Sequence, residues 1–513
     1  MLALLLAVQA GYVDPASCRP CHLRIFDAYM KTGMGRSFSQ AAAVPPLDNF
    51  THAKSQRSYS VLQRDGAFLL RRAQPELERT IDYVIGSGNH SKTFVHRNAA
   101  GRLIELPLSL YGDKWAMSPG YDRPDHSDFR REVTDSCLFC HNGYPSAANS
   151  GLALGIDCQR CHGPGEAHVK RSGAIVNPGK LASERRLEIC LQCHLESASR
   201  TLPEAIRRPG RDHFSFRPGE ALGGYKVYFE YAKPPSGDRI TVNGAGYGLL
   251  KSQCFIRSEG RLQCTTCHDP HGAEPVNYTQ VCRNCHQAAH EPARQNCTGC
   301  HMPKRRTEDA VHVVMTDHLI RKRLPKGDLL ARIEERHDKL SGPVRLLYPR
   351  ALSDSPADRL IVAMAGEDPS ALQIAIVQPQ PEPYLRLAEL FEKAARPADA
   401  RRAYQSAIAI DPANPAPYAK AADASALTRF PNDVPLLNTI AIAFVGQSRF
   451  DDALTLMERA VRLAPDDPVS WLNLGVCKEA KGDVAGAIAA YQQALVVQPD
   501  LSQARTYLRR LNN

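Results

Sequence analysis

CTTCHDPHGAEPVNYTQVCRNCHQAAHEPARQNCTGCH, residues 264–301, sets Cys-x-x-Cys-His three times in close succession, as Cys264-Thr-Thr-Cys267-His268, Cys282-Arg-Asn-Cys285-His286 and Cys297-Thr-Gly-Cys300-His301. Upstream the same pentapeptide occurs as Cys18-Arg-Pro-Cys21-His22, Cys137-Leu-Phe-Cys140-His141, Cys158-Gln-Arg-Cys161-His162 and Cys190-Leu-Gln-Cys193-His194. With 16 Cys and 18 His in 513 residues, random placement gives about 0.02 such motifs, so the seven share a purpose. Two thiols about one helical turn apart reach the two vinyl groups of one haem as thioethers, and the adjacent imidazole meets its iron. Disulfides or zinc are the ordinary alternatives, and the seventeen residues between Cys140 and Cys158 match a zinc ribbon. Neither needs a His behind every second Cys. Seven haems c are therefore expected, with His22, His141, His162, His194, His268, His286 and His301 as proximal ligands. Cys254 and Cys477 are left over as plain thiols.

A second ligand for each iron has to come from elsewhere in the chain. His168 in Cys-His-Gly-Pro-Gly-Glu-Ala-His, His271 in Cys-His-Asp-Pro-His-Gly and His290, four residues after His286, stand close behind a proximal His. None of them can round the porphyrin to the opposite face of the same iron. They are expected to ligate a neighbouring haem, which ties the haems into a close-packed chain of the kind electron hopping needs. His312 and His318 behind the last motif, and His52, His90 and His96 between the first two, are further candidates. Each competes with the ordinary role of a surface or core histidine, and that role is the expectation for His126, His213 and His337.

Fifteen of the sixteen Cys lie between Cys18 and Cys300, so the composition changes abruptly after residue 301. The expected domains are a haem-bearing domain over 11–320, a linker over 321–356 and a repeat domain over 357–513. Residues 321–356 are rich in Arg, Lys and Glu and punctuated by Pro325, Pro343 and Pro349, which predicts a partly helical linker. Between the first two motifs, Ser58–Leu62 against Phe68–Arg72 and Thr93–His96 against Arg102–Leu106 read as hairpins, within a β-rich insertion over about 50–115.

Beyond the break a period of 34 appears, with Pro465 and Pro499 that far apart. Leu437, Ile440, Ala441, Phe444, Ala453, Met457 and Ala460 are followed in register by Trp471, Leu474, Gly475, Ala487, Tyr491 and Ala494. A further copy holds Tyr384, Leu387, Ala388, Phe391, Ala400, Tyr404 and Ala407. This pattern resembles the tetratricopeptide repeat, with clear copies at 381–414, 434–467 and 468–501. Lys478 stands where an aromatic is usual, and Pro415–Asp433 reads as a degraded helix between copies. Ala357–Gln378 reads as an additional cap and Leu501–Leu511 as a C-terminal solvating helix. The expected fold class is multidomain, a haem-cored cytochrome with short helices, loops and a β-rich insertion, followed by an all-α solenoid.

The length exceeds what one hydrophobic core supports, while 43% hydrophobic and 23% charged residues are ordinary for a globular chain. No run of about 18 apolar residues is available to span a bilayer. The formal charge of +10 does not indicate nucleic acid, because seven haems would add roughly fourteen propionate charges, partly offset by the irons. Residues 1–10, MLALLLAVQA, read as a signal-peptide remnant that lacks its positive n-region.

Residues from about 11 to 320 resemble the multihaem cytochrome superfamily of the pentahaem nitrite reductases and octahaem hydroxylamine oxidoreductases. The likeness is carried by Gly155-Ile-Asp-Cys158-Gln-Arg-Cys161-His162-Gly-Pro-Gly and Cys264-Thr-Thr-Cys267-His268-Asp-Pro-His271-Gly. The whole chain resembles bacterial proteins that join such a cytochrome to tetratricopeptide repeats. Covalent haem attachment in such proteins takes place outside the cytoplasm, which implies a periplasmic or extracellular location. Related modules commonly offer a His about a dozen residues after the first motif, whereas this chain reads Lys31-Thr32-Gly33-Met34-Gly35-Arg36. Met34 is thereby the candidate distal ligand of the first haem, and a thioether would raise that haem's potential.

The expected function is electron transfer between redox partner proteins, one of them docked by the repeats. The alternative is a multihaem oxidoreductase acting on a small nitrogen or sulfur compound at one open haem. The Cys-x-x-Cys-Lys motif of the nitrite reductases is absent, which favours the carrier over the enzyme. No catalytic residue is assigned. An oligomer or filament that aligns the haems of neighbouring molecules is compatible with the same reading.

Overall fold

The structure, a computed structural model, describes residues 11–126, 128–145, 152–195, 205–232, 240–272, 275–286, 296–335 and 342–512. The signal-like segment 1–10, His290 and His337 lie outside the described residues.

Among the described residues, ten strands lie between the first and second motifs: β1 (Phe38–Gln40), β2 (Leu47–Thr51), β3 (Ser58–Arg64), β4 (Ala67–Arg72), β5 (Leu77–Thr80), β6 (Tyr83–Ile85), β7 (Lys92–Arg97), β8 (Leu103–Tyr111), β9 (Lys114–Met117) and β10 (Arg131–Glu132). The insertion is thus larger than expected, running over 38–132 as a four-stranded sheet β2-β3-β4-β5 and a six-stranded one ordered β1-β6-β7-β8-β10 with β9 also on β8. Both hairpins form, β3 with β4 in the register Tyr59↔Arg72 and β7 with β8 in the register Arg97↔Leu103. Asp65 and Gly66 take φ of 51° and 80° in the β3–β4 turn, the left-handed pair that a two-residue hairpin requires.

Period-two alternation makes the larger sheet a partition between two cores. On β7, Phe94 faces a cluster with Tyr59, Val61 and Leu70, whereas the next residue, Val95, faces Leu138, Phe139, Leu187 and Leu191. The second cluster carries the motif helices Asp135–His141 and Ser183–His194. The helices of the last three motifs, Cys264–Cys267, Tyr278–Arg283 and Cys297–His301, bury none of their residues.

A third sheet joins β11 (Ala205–Arg207), β12 (Lys226–Tyr231) and β15 (Val344–Tyr348), while β13 (Lys304–Arg306) pairs with β14 (Val314–Thr316). This corrects the linker. Among the described residues of 321–355 no helix occurs, and β15 is an edge strand pinned to β12 by Tyr231↔Val344 and Phe229↔Leu346.

Ten helices follow: α1 (Pro356–Ala365), α2 (Pro369–Ala375), α3 (Pro381–Lys393), α4 (Pro397–Ile410), α5 (Ala416–Ala421), α6 (Val434–Gly446), α7 (Phe450–Leu463), α8 (Pro468–Ala480), α9 (Val484–Val497) and α10 (Ser502–Asn512). Asp433, Asp467 and Asp483 cap α6, α8 and α9 by accepting from Leu436, Ser470 and Gly486 N–H, satisfying donors every helix start leaves open. Ala441, Ala453, Ala460 and Ala487 are fully buried where helices cross. The stretch between Pro415 and Asp433 holds the short α5 and a 3₁₀ turn, Ala424–Leu427.

The helical array is attached at both ends. Ile206, Val227 and Phe229 of the third sheet share one core with Leu360, Ile361, Leu387 and Tyr404. At the far end, Arg57 pairs with Asp500 at 3.1 Å, while Arg79 reaches Asp466, Arg72 the Val496 carbonyl and Arg130 the Gln498 amide.

Candidate functional site: the histidine pairs

Each motif is wound into a helix or turn. The His N–H donates to the carbonyl of the first Cys in the first, third, fifth and sixth motifs, at 3.1, 2.9, 2.9 and 3.0 Å. None of the sixteen cysteines forms a disulfide. Among the described residues no group of three or more His, Cys, Asp and Glu side chains is arranged to hold a bare metal ion, so no zinc-ribbon ligand set is assembled there.

Three motif histidines face a second histidine. His22 and His168 have ring centroids 6.2 Å apart with planes 19° from parallel. His162 and His271 are 6.1 Å apart at 13°, and His268 and His318 are 6.2 Å apart at 32°. One metal between two imidazoles, at metal–nitrogen distances of about 2 Å, puts the ring centroids about 6 Å apart. In each pair the second ring comes from behind a different motif.

The rings are also oriented. His162 Nδ1 lies 2.9 Å from the Val176 carbonyl, His318 Nδ1 2.9 Å from that of Thr316, and His301 Nδ1 2.5 Å from that of Arg321. A backbone carbonyl can only accept, so each Nδ1 is the donor and each Nε2 keeps its lone pair for a metal. Burial lowers the pKa of His141, His162, His194, His268 and His318, keeping the neutral form that ligation uses. His141 Nδ1 is buried without a hydrogen-bond partner.

The thiols show which motifs are neighbours. Cys18 raises the pKa of Cys158 beside it, Cys264 does the same to Cys190, and Cys140 lowers that of Cys193. Cys282 is pushed up to about 11 by burial, with Cys297 and Cys267 close by. The third motif therefore lies against the first, the fourth against the second and fifth, and the sixth against the fifth and seventh. Tyr29, whose hydroxyl donates to the Ile156 carbonyl at 2.8 Å, helps join the first motif to the third.

Other candidates are placed elsewhere. His52 is engaged at both nitrogens, Nδ1 by Ser55 Oγ at 2.8 Å and Nε2 by Asp122 at 3.2 Å. His312 lies 3.9 Å from the same Asp122 and against the Tyr111 ring. His96, on β7, holds Asp82 and Thr80 through Nδ1. His90 is exposed on the loop after β6. Met34 lies beside the third motif, its carbonyl accepting from Ile156 N–H at 3.1 Å, whereas the ring that faces His22 is that of His168. His126 is buried among Arg57, Tyr59 and Asp128.

Residues 438–510 match the tetratricopeptide repeat family, so the C-terminal region carries these repeats. Solved structures similar to this chain include the APC/C hetero-tetramer Cut9–Hcn1, 16% identical over 31% of this chain and 36% of that one, with a TM-score of 0.26. A thermophilic TPR protein of Thermus thermophilus is 17% identical over 28% and 88%, with a TM-score of 0.25. The yeast Tom70 is 15% identical over 31% and 39%, with a TM-score of 0.26. The match thus spans little more than a third of the Cut9–Hcn1 and Tom70 chains. No curated protein matches the chain.

Proposed function

We propose that residues 11–320 form a multihaem c-type cytochrome with seven haems, and that the chain relays electrons outside the cytoplasm between protein partners. The observation that carries this reading is the set of three histidine pairs at 6.1–6.2 Å, each joining a motif His to a His behind a different motif. Ordinary ring packing spans about 4.5–7 Å in many tilts. It gives no reason for the same spacing three times, always at a Cys-x-x-Cys-His.

Bound at these motifs, haem c would supply one-electron carriers with iron between two imidazoles. The chain's own part is to hold them. Paired thiols would fix each ring, carbonyl-bound Nδ1 atoms aim His162, His301 and His318, and burial keeps His162 and His318 neutral. With haem bound, His168, His271 and His318 would supply the second ligands at the first, third and fifth motifs and so tie those motifs into one row.

Tetratricopeptide repeats generally mediate protein–protein contact, which supports a docking role for α3–α9. No helix among the described residues is long and apolar enough to cross a membrane.

Electron paramagnetic resonance on the oxidised protein, with carbon monoxide added to the reduced form, tests the carrier against the enzyme. A carrier gives low-spin signals and binds carbon monoxide poorly. A high-spin signal with rapid ligand binding at one haem would favour a multihaem oxidoreductase.

A further inference from the structure

The seventh motif comes last in a row of three short helices. Its helix, Cys297–His301, packs on that of the sixth motif, Tyr278–Arg283, which packs in turn on Cys264–Cys267 of the fifth. Cys285 of the sixth motif and Cys300 of the seventh are both exposed. Two later segments are knitted to the seventh motif. Arg321 N–H donates to the His301 carbonyl at 2.8 Å while His301 Nδ1 donates to that of Arg321, and Asp317 N–H donates to the Pro303 carbonyl at 3.0 Å. β13 and β14 pair alongside, with Lys304 opposite Thr316.

These segments carry Lys304, Lys322, Arg323 and Lys326, all exposed. Among the described residues none of the four is in an ion pair. The acids on the same segments are engaged elsewhere. Asp317 holds Arg305 at 2.8 Å and Arg321 at 3.0 Å, while Asp309 and Asp328 accept from the Val242 and Leu330 N–H. Leu324, between Arg323 and Lys326 in the chain, is 51% exposed. Cations that no acid neutralises attract a negative protein surface, and an exposed leucine among them gives that surface an apolar contact on which to settle.

We propose that the basic patch of Lys304, Lys322, Arg323 and Lys326 docks an acidic one-electron carrier protein, and that electrons cross there at the seventh motif; this rests on the haem reading above. One electron leaves the carrier, which is oxidised, and one iron passes from Fe(III) to Fe(II). A complex steered together by charge forms fast and weakens with salt, as repeated exchange of a carrier requires. Nucleic acid or a lipid surface would also meet these cations, but neither gives a reason for the patch to surround a Cys-x-x-Cys-His.

The test uses the full-length haem-loaded protein with a plant-type ferredoxin, an acidic one-electron carrier, as the probe, and compares the parent with the double variant Lys322→Glu, Arg323→Glu. Stopped-flow reads haem reduction by the reduced ferredoxin, calorimetry reads binding of the oxidised one, and neutral lumiflavin semiquinone serves as an uncharged small reductant. At low salt the variant should lose about tenfold in both rate and affinity, and the gap should close as salt rises. Haem count, midpoints and the flavin rate should not move. Lys322→Gln with Arg323→Gln should fall between the two, and it decides the matter if the charge reversal does not fold. Equal rates and affinities would overturn the proposal and leave the haem reading standing. So would a shifted midpoint with ferredoxin binding unchanged, which would make these cations partners of haem propionates. Retention of the parent but not the variant on phosphatidylserine vesicles, with ferredoxin unaffected, would assign the patch to a lipid surface and overturn it too. A parent chain without covalent haem would overturn both readings.

Discussion

His168, His271 and His318 each hold one side of a 6 Å imidazole pair, so each can be removed singly. Replacing any one with Ala should turn one low-spin haem high-spin and open it to carbon monoxide, without loss of covalent haem. Magnetic circular dichroism distinguishes this from unfolding. The same change at His52 should leave the haem spectrum alone, because both its nitrogens are already engaged. Sequence spacing singled out His168 and His271 as residues directed at another motif, and His318 as one that follows the last motif, and each faces the motif His of another motif. It did not show what engages His52, because its partner Asp122 is seventy residues away. Nor did it show that Arg160 is buried over the Phe139, Tyr144 and Phe214 rings, because Phe214 comes from a separate segment. His126 carries the clearest acid sensitivity. Burial, with Arg57 alongside, lowers its pKa from 6.5 to about 3. The unfolded state therefore binds the extra proton first, and the contribution is fully present above pH 6.5 and falls by about 1.4 kcal/mol per unit down to pH 3. Replacing His126 with Gln should flatten the dependence of the unfolding midpoint between pH 6 and 4.

At the scale of elements, the repeats rest on small residues at helix crossings. Gly475 of α8 meets the Tyr491 ring of α9 where a side chain would collide with it. Gly475→Ala should therefore destabilise the array by about 1–3 kcal/mol, measured by denaturant unfolding and leaving the haem bands unchanged. This packing was legible because helix periodicity and the 34-residue repeat coincide, and the hairpins were legible because Asp65-Gly66 and Asn98-Ala99-Ala100-Gly101 announce turns. β15 was not. Val344-Arg-Leu-Leu-Tyr348 is a five-residue strand inside an Arg- and Pro-rich stretch, and its pairing depends on β12, more than a hundred residues earlier. Charge and proline content read as a linker, and tertiary pairing overrode them.

Across the whole molecule, the repeat array is held at its first helices by the shared core of Ile206, Val227, Phe229, Leu360 and Tyr404. At its last helices it is held by arginines of the β-rich insertion. Removing residues from 381 onward would cut that core, whereas removing those from 434 onward would spare it. Asp466→Arg with Asp500→Arg should free only the far end, so that trypsin cuts the last repeats faster while the haem count stays the same. Unchanged cleavage would mean that the ion pairs do not hold that end. No sequence pattern disclosed this contact, because Arg57, Arg72, Arg79 and Arg130 are scattered over four segments. The central claim remains the seven motifs acting alike as covalent haem sites, and denaturing mass spectrometry of the mature protein weighs it directly. The expected mass is the chain plus seven haems that survive denaturation and acid extraction, and an increment of five haems or fewer would contradict it.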